Sequence, residues 1–118
     1  MAQSTCKILV VDDDPDVLSV AKALLAQEGY TVLEAVNGSD ALRLLHAHPD
    51  IALLFTDIVM PGPIDGFDLA ERAKRLRPDL PVLYTSGYLK NEGVWAATLL
   101  AKPWRPAHLA EAVKNLLG

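Results

Sequence analysis

The chain has 118 residues, 51% of them hydrophobic, and a formal net charge of −4. That length makes one domain able to bury about two thirds of the surface its unfolded chain exposes, and the acidic balance argues against a nucleic-acid partner. The single cysteine, Cys6, excludes an internal disulfide. No apolar run approaches the roughly 18 residues of a membrane span, and none at the start resembles a signal segment, so a cytoplasmic protein is expected.

Residues 6–11 read as a buried strand, after which Asp14 and Pro15 supply an N-cap and first helical position for a helix to about residue 28. Gly29 stops that helix. Residues 31–35 read as a second strand, Asn37-Gly38 as a turn, and Ser39 as the cap of a helix through about residue 46. Pro49-Asp50 leads into a third strand over 51–56, which ends at Asp57. The loop Pro61-Gly62-Pro63-Ile64-Asp65-Gly66 precedes a helix over about 67–76, which Pro78 ends. A fourth strand over 81–85, a short helix around 91–97, a fifth strand over 99–101 and a last helix opened by Pro106 complete the chain. The basic stretch Arg72-Ala73-Lys74-Arg75-Leu76-Arg77 is a solvated helix face. His46 and His48 sit near a helix C-terminus, where a histidine suits the helix dipole better than a metal.

Short apolar strands alternating with helices point to a parallel sheet covered on both faces. In such sheets the carboxyl ends of the strands share one edge, where ligands bind. Asp12 and Asp13 end the first strand, Asp57 ends the third and Lys102 follows the fifth, so the four converge. At about 5 Å and an effective dielectric near 20, each pair of carboxylates repels by roughly 3 kcal/mol. A divalent cation removes that conflict. Mg²⁺ prefers carboxylate, water and phosphate oxygens, and three acids, one lysine and Mg²⁺ sum to about zero formal charge. The site suits a phosphoryl group.

Val11-Asp12-Asp13-Asp14-Pro15, Asp57-Ile58-Val59-Met60-Pro61, Thr85-Ser86-Gly87-Tyr88 and Lys102-Pro103-Trp104 together resemble the four signature segments of the receiver domain of two-component response regulators. The resemblance covers nearly the whole chain, as a single receiver domain over residues 1–118. It implies a three-layer αβα sandwich of flavodoxin-like type, with a five-stranded parallel sheet in order 2-1-3-4-5. It also implies that Asp57 is the phosphoacceptor, taking a phosphoryl group from a phosphohistidine on a sensor histidine kinase or a histidine phosphotransfer protein. By the same resemblance Asp12, Asp13, Asp57 and the backbone carbonyl of Val59 hold Mg²⁺, Ser86 is the hydroxyl that meets a phosphoryl oxygen, and Lys102 offers its ammonium. Pro103 resembles the family's cis proline. Val59 and Tyr88 stand where side chains set the lifetime of the phosphoryl group, and both types predict slow hydrolysis. Thr85, one residue before Ser86, points to the opposite face of the strand.

Three departures from the family pattern stand out. The loop after Asp57 is one residue longer than usual. Only fifteen residues separate Ser86 from Lys102, so the helix between the fourth and fifth strands is shortened, as in receivers of hybrid histidine kinases and related free-standing ones. Leu99 stands where many receivers carry an aromatic switch residue, so the segment over 87–97 is expected to move instead, with Trp95 or Trp104 reporting it. No output domain is expected within these 118 residues, and output is expected through a partner or by relay of the phosphoryl group to a histidine phosphotransfer protein.

Two rival classes differ in chemistry. Asp12-Asp13-Asp14 also fits the Asp-x-Asp pattern of haloacid-dehalogenase-like phosphatases, with Asp12 as nucleophile, although those enzymes are usually longer and place the nucleophile on strand 1, whereas here strand 3 carries an isolated Asp57 and strand 5 is followed by Lys102-Pro103. A receiver-like interaction module that is never phosphorylated would usually have lost an acid or the lysine, and this chain has lost none.

Overall fold

The runs over 7–11, 51–57 and 82–86 pair in parallel because each is too hydrophobic to leave either face in water, whereas the edge run over 31–35 leaves Thr31 and Glu34 exposed. The computed structural model describes residues 6–86, 99–102 and 104–117. Its sheet comprises β1 (Lys7–Val11), β2 (Thr31–Ala35), β3 (Ile51–Asp57), β4 (Val82–Ser86) and β5 (Leu99–Ala101), in the order β2-β1-β3-β4-β5. The helices are α1 (Pro15–Gln27), α2 (Gly38–Ala47), α3 (Gly66–Leu76) and α4 (Pro106–Leu117). Strand order and parallel sense match the expectation. The short helix expected over 91–97 lies outside the described residues.

Side-chain alternation divides the core into two layers. Leu9, Val11, Leu54 and Val82 face α2 and α3, where Leu45, Leu69 and Ala73 meet them. Ile8, Val10, Leu53, Phe55 and Leu83 face the other way, against Leu18 and Leu25 of α1 and Leu109 and Val113 of α4. Burying each such Leu, Ile or Phe stabilises by about 1.5–3 kcal/mol. The β1–β3 ladder carries one irregularity: Lys7 pairs with Ile51 but Ile8 with Leu53. The extra residue, Ala52, puts Ile51 and Leu54 in the same layer.

The helices begin at side-chain caps. Asp14 caps α1 by accepting from the Asp16 amide, with Pro15 in the first turn. The cap of α2 is Asn37, which accepts from the Asp40 amide at 2.8 Å, so Ser39 lies inside the helix instead of capping it. Asn37-Gly38 read as a closed turn, but a chain leaving a parallel strand has to cross over, and an asparagine there serves equally as a helix start. In α3 the cap is Asp65, whose carboxylate accepts from the Asp68 amide while Asp68 accepts from the Asp65 amide. This reciprocal capping box starts α3 one residue earlier than expected. Gly29 ends α1 with φ of +93°, a left-handed conformation that a side chain would strain.

Candidate functional site

The strands that lead to Asp12, Asp57, Ser86 and Lys102 deliver them to the carboxyl edge of the sheet. Asp12 follows β1 and is 2% exposed; its amide still donates to the Ala35 carbonyl, so it prolongs the ladder before the chain turns. One carboxylate oxygen of Asp12 accepts from the Asp14 amide at 2.9 Å. That bond bends the chain at Asp13, which is exposed, and leads into the Asp14 cap. Asp57 ends β3 and is 7% exposed. Its backbone is fixed on both sides, because the Ile58 amide donates to the Thr85 carbonyl and the Gly66 amide to the Ile58 carbonyl. Gly66 passes so near that a Cβ there would lie 2.2 Å from the Asp57 carbonyl oxygen. No residue but glycine fits this approach without moving the chain that carries Asp57.

Lys102 follows β5, and its amide donates to the Ser86 carbonyl at 3.2 Å. Its ammonium reaches the Oδ2 of Asp12 at 2.8 Å and the Oδ2 of Asp57 at 3.3 Å. One oxygen from each of Asp12, Asp13 and Asp57 lies within 4.8 Å of the others. Together with Val59, Met60 and Pro61 these residues line a cleft of about 420 Å³.

The electrostatics follow from that geometry. Burial pushes the Asp57 carboxyl above its ordinary value, the charge of Asp12 pushes it further, and Lys102 only partly offsets them. For Lys102 burial favours the neutral amine, but the hydrogen bond and charge of Asp12, then those of Asp57, outweigh it and hold the ammonium above its usual range. The lysine is therefore a firm cation. The acids are crowded beyond what one lysine neutralises. Three carboxylates, hard donors in one open cleft, fit a divalent cation that prefers oxygen.

Ser86 ends β4 and is buried, with its backbone carbonyl tied to Lys102. Thr85 turns to the other face, where its hydroxyl donates to the Leu100 carbonyl at 2.6 Å and accepts from the Trp104 indole at 2.8 Å. Val59 is 53% exposed at the rim of the cleft. Leu99 opens β5 opposite Tyr84, whose ring lies tilted against that of Phe67 with ring centres 5.3 Å apart. Tyr88, Pro103 and Trp95 lie outside the described residues. His46 lies in the last turn of α2 and His48 caps its end, away from the acids. Arg72, Lys74 and Arg75 are exposed on α3.

Sequence reading missed Gly66, the Asp65–Asp68 box and the Trp104–Thr85 bond. The first two had a visible signal in Asp65-Gly66 followed by an acid three residues after Asp65. The third had none, because it joins side chains nineteen positions apart.

Comparison with known proteins agrees with this geometry. The family model described as the response regulator receiver domain matches residues 8–114. The response regulator SaeR of Staphylococcus epidermidis is 33% identical over 117 residues, which cover 94% of this chain and 50% of that protein. SaeR of Staphylococcus aureus is 34% identical over 116 residues, 93% of this chain and 50% of its own length. The chain thus spans about half the length of these curated relatives. Among solved structures, the receiver domain from the hybrid histidine kinase CckA is 41% identical with a TM-score of 0.83, covering 95% of this chain and 99% of that one. A response regulator receiver protein from Sinorhizobium medicae is 30% identical with a TM-score of 0.86, covering 98% and 97%.

Proposed function

The chain belongs to the response regulator receiver domain family, the signalling modules of two-component systems, and from that membership we propose that it accepts a phosphoryl group on Asp57. The observation that carries the reading is the placement of three carboxylate oxygens within 4.8 Å of one another, with the Lys102 ammonium reaching both Asp12 and Asp57. Such crowding is costly for a fold and useful only if positive charge and a phosphoryl group are to be held there.

Asp12, Asp13 and Asp57 would hold Mg²⁺, with the Val59 carbonyl as a further oxygen ligand. Bound there, the ion would neutralise charge on the phosphoryl oxygens. The Asp57 carboxylate attacks phosphorus in line with the bond to a partner's phosphohistidine. The new P–O bond forms as the P–N bond breaks, and the bonding pair leaves with the imidazole. The Lys102 ammonium exchanges part of its hold on the acids for a phosphoryl oxygen, and the Ser86 hydroxyl donates to another. The donor is a sensor histidine kinase or a histidine phosphotransfer protein, and the reaction belongs in the cytoplasm, where ATP supplies such donors. The chain performs this step once and awaits dephosphorylation, so it is not a turnover enzyme.

The phosphatase alternative meets a specific obstacle. Both carboxylate oxygens of Asp12 are engaged, one by the Asp14 amide and one by Lys102, and the residue is buried. The test is incubation with acetyl phosphate and Mg²⁺, followed by the mass of the intact protein. A stable gain of one phosphoryl, absent in Asp57→Asn, is the expected result. Continuous turnover would favour the phosphatase, and no gain the non-phosphorylated module.

A further inference from the structure

Lysine is a poor choice for placing a charge accurately, because four methylene groups separate the ammonium from the backbone. What fixes Lys102 is therefore its backbone and the residues around it. Its own amide is held by the Ser86 carbonyl. Two residues earlier, the Leu100 carbonyl accepts from the Thr85 hydroxyl at 2.6 Å. Two residues later, the Trp104 indole N–H donates to that same hydroxyl at 2.8 Å. The hydroxyl has a single proton, so giving it to Leu100 leaves a lone pair for the indole and sets the direction of the chain of bonds. Leu100, Lys102 and Trp104 are thus all tied to two consecutive residues at the end of β4.

Thr85 has a second neighbour. In the sheet register it stands between Leu100 of β5 and Asp57 of β3. The Trp104 ring lies against Phe55, two residues before Asp57, with ring centres 5.1 Å apart. A phenylalanine at position 104 would keep that packing. The indole adds the hydrogen bond and a larger apolar surface against the same core layer, so the hydroxyl variants at position 85 isolate the bond itself.

We infer that Trp104 and Thr85 are positioning residues for Lys102, which hold its backbone at a fixed distance from Asp57 so that the ammonium meets the incoming phosphoryl group. This rests on the phosphoacceptor reading of Asp57 and deepens it. Neither residue touches the reacting atoms; they act through the lysine.

The test follows the rate of phosphoryl gain from acetyl phosphate at saturating Mg²⁺ by intact mass. Trp104→Phe removes the N–H and keeps a ring, and Thr85→Val removes the hydroxyl and keeps the volume. Each is expected to slow phosphorylation about ten-fold, with the double variant no slower than either single. Thr85→Ser, which retains the hydroxyl, is expected to stay close to wild type. Mg²⁺ affinity by calorimetry and folded content by circular dichroism are expected to be unchanged, because the acids are not disturbed. Wild-type rates in both single variants would overturn the inference. So would losses that multiply in the double variant, or a loss explained by weaker Mg²⁺ binding or by unfolding. A wild-type chain that gains no phosphoryl overturns the reading of Asp57 and this inference with it, an outcome visible before any variant is compared.

Discussion

The Nζ of Lys102 lies 2.8 Å from the Oδ2 of Asp12, a residue ninety positions earlier in the chain. The distance to Asp57 is longer, 3.3 Å. Before phosphorylation, then, the lysine is held chiefly by an acid other than the proposed acceptor. It can turn toward a phosphoryl group on Asp57 without leaving the Asp57 carboxyl as an unpaired buried charge, because that carboxylate loses its own charge in the acyl phosphate it forms.

Lys102 should stabilise the fold in a pH-dependent way. Its pKa is raised above the ordinary value of 10.5, so the native state binds the proton more tightly than the unfolded chain. The contribution is fully present below about 10.5 and is lost as pH rises through the folded value. Lys102→Met is expected to cost about 2 kcal/mol near neutral pH, because it removes charge-assisted hydrogen bonds to buried carboxylates. Urea unfolding in chelator across the alkaline range checks this. The wild type should approach the variant as pH rises, and parallel curves would contradict it.

Asp57 is shifted in the same direction, but here the proton favours the fold because it removes a crowded charge. Its folded pKa is raised above 3.8, first by burial and then by Asp12, so ionisation costs stability. That cost is absent below about 3.8 and grows as pH rises through the folded value. Asp57→Asn should therefore melt at a higher temperature than wild type at neutral pH in chelator, and the gap should narrow on acidification. Mg²⁺ should raise the wild-type melting temperature more than that of the variant, since the variant lacks one ligand. Asp13→Asn should likewise weaken Mg²⁺ binding.

Gly66→Ala sets helix propensity against space. Alanine in place of glycine favours a helix by at most about 1 kcal/mol. The added Cβ would meet the Asp57 carbonyl oxygen at 2.2 Å, and a backbone group in the central strand cannot retreat cheaply. Overpacking of this kind costs about 1–3 kcal/mol, so net destabilisation is expected in urea, with slower phosphorylation because the acceptor shifts. Unchanged phosphorylation would show that the β3 end absorbs the clash without moving its carboxylate.

The phosphoryl group should be long-lived. Val59, at the rim of the cleft, ends in an isopropyl group that cannot orient water, and Tyr88 occupies the corresponding position after Ser86. Tyr88→Ala or Tyr88→Glu is expected to speed loss of the phosphoryl group several-fold after the donor is removed. Decay unchanged in both would show that water access is set elsewhere.

Strands β2 and β5 were legible to the residue, because short apolar runs bounded by turn residues leave little choice of ends. The opposite facing of Thr85 and Ser86 followed from the two-residue period of a strand. What could not be read was the local competition at Asn37, where a turn signal and a helix cap use the same residue types and only the direction of the following chain decides, whereas the box at Asp65 had its signal in Asp68 three residues on. The four residues Asp12, Asp13, Asp57 and Lys102 were placed together by strand order, which periodicity alone does not give. The Trp104–Thr85 bond depends on side-chain reach across two strands and had no local trace. The segment over 87–98, with Tyr88 and Trp95, lies outside the described residues.

Strand order also dictates which partly formed sheets would contain the site. Pairing of β1 with β3 brings Asp12 and Asp57 together across forty-five positions, whereas Lys102 arrives only when β5, the far edge strand, docks on β4. Any partly formed sheet that pairs β1 with β3 but lacks β5 contains the repulsion without its remedy. In such a sheet the assembled negative charge attracts Lys102 and the edge strand that carries it, so docking of β5 is the step that completes the machinery. A chain that stalls short of it holds the acids and cannot use them.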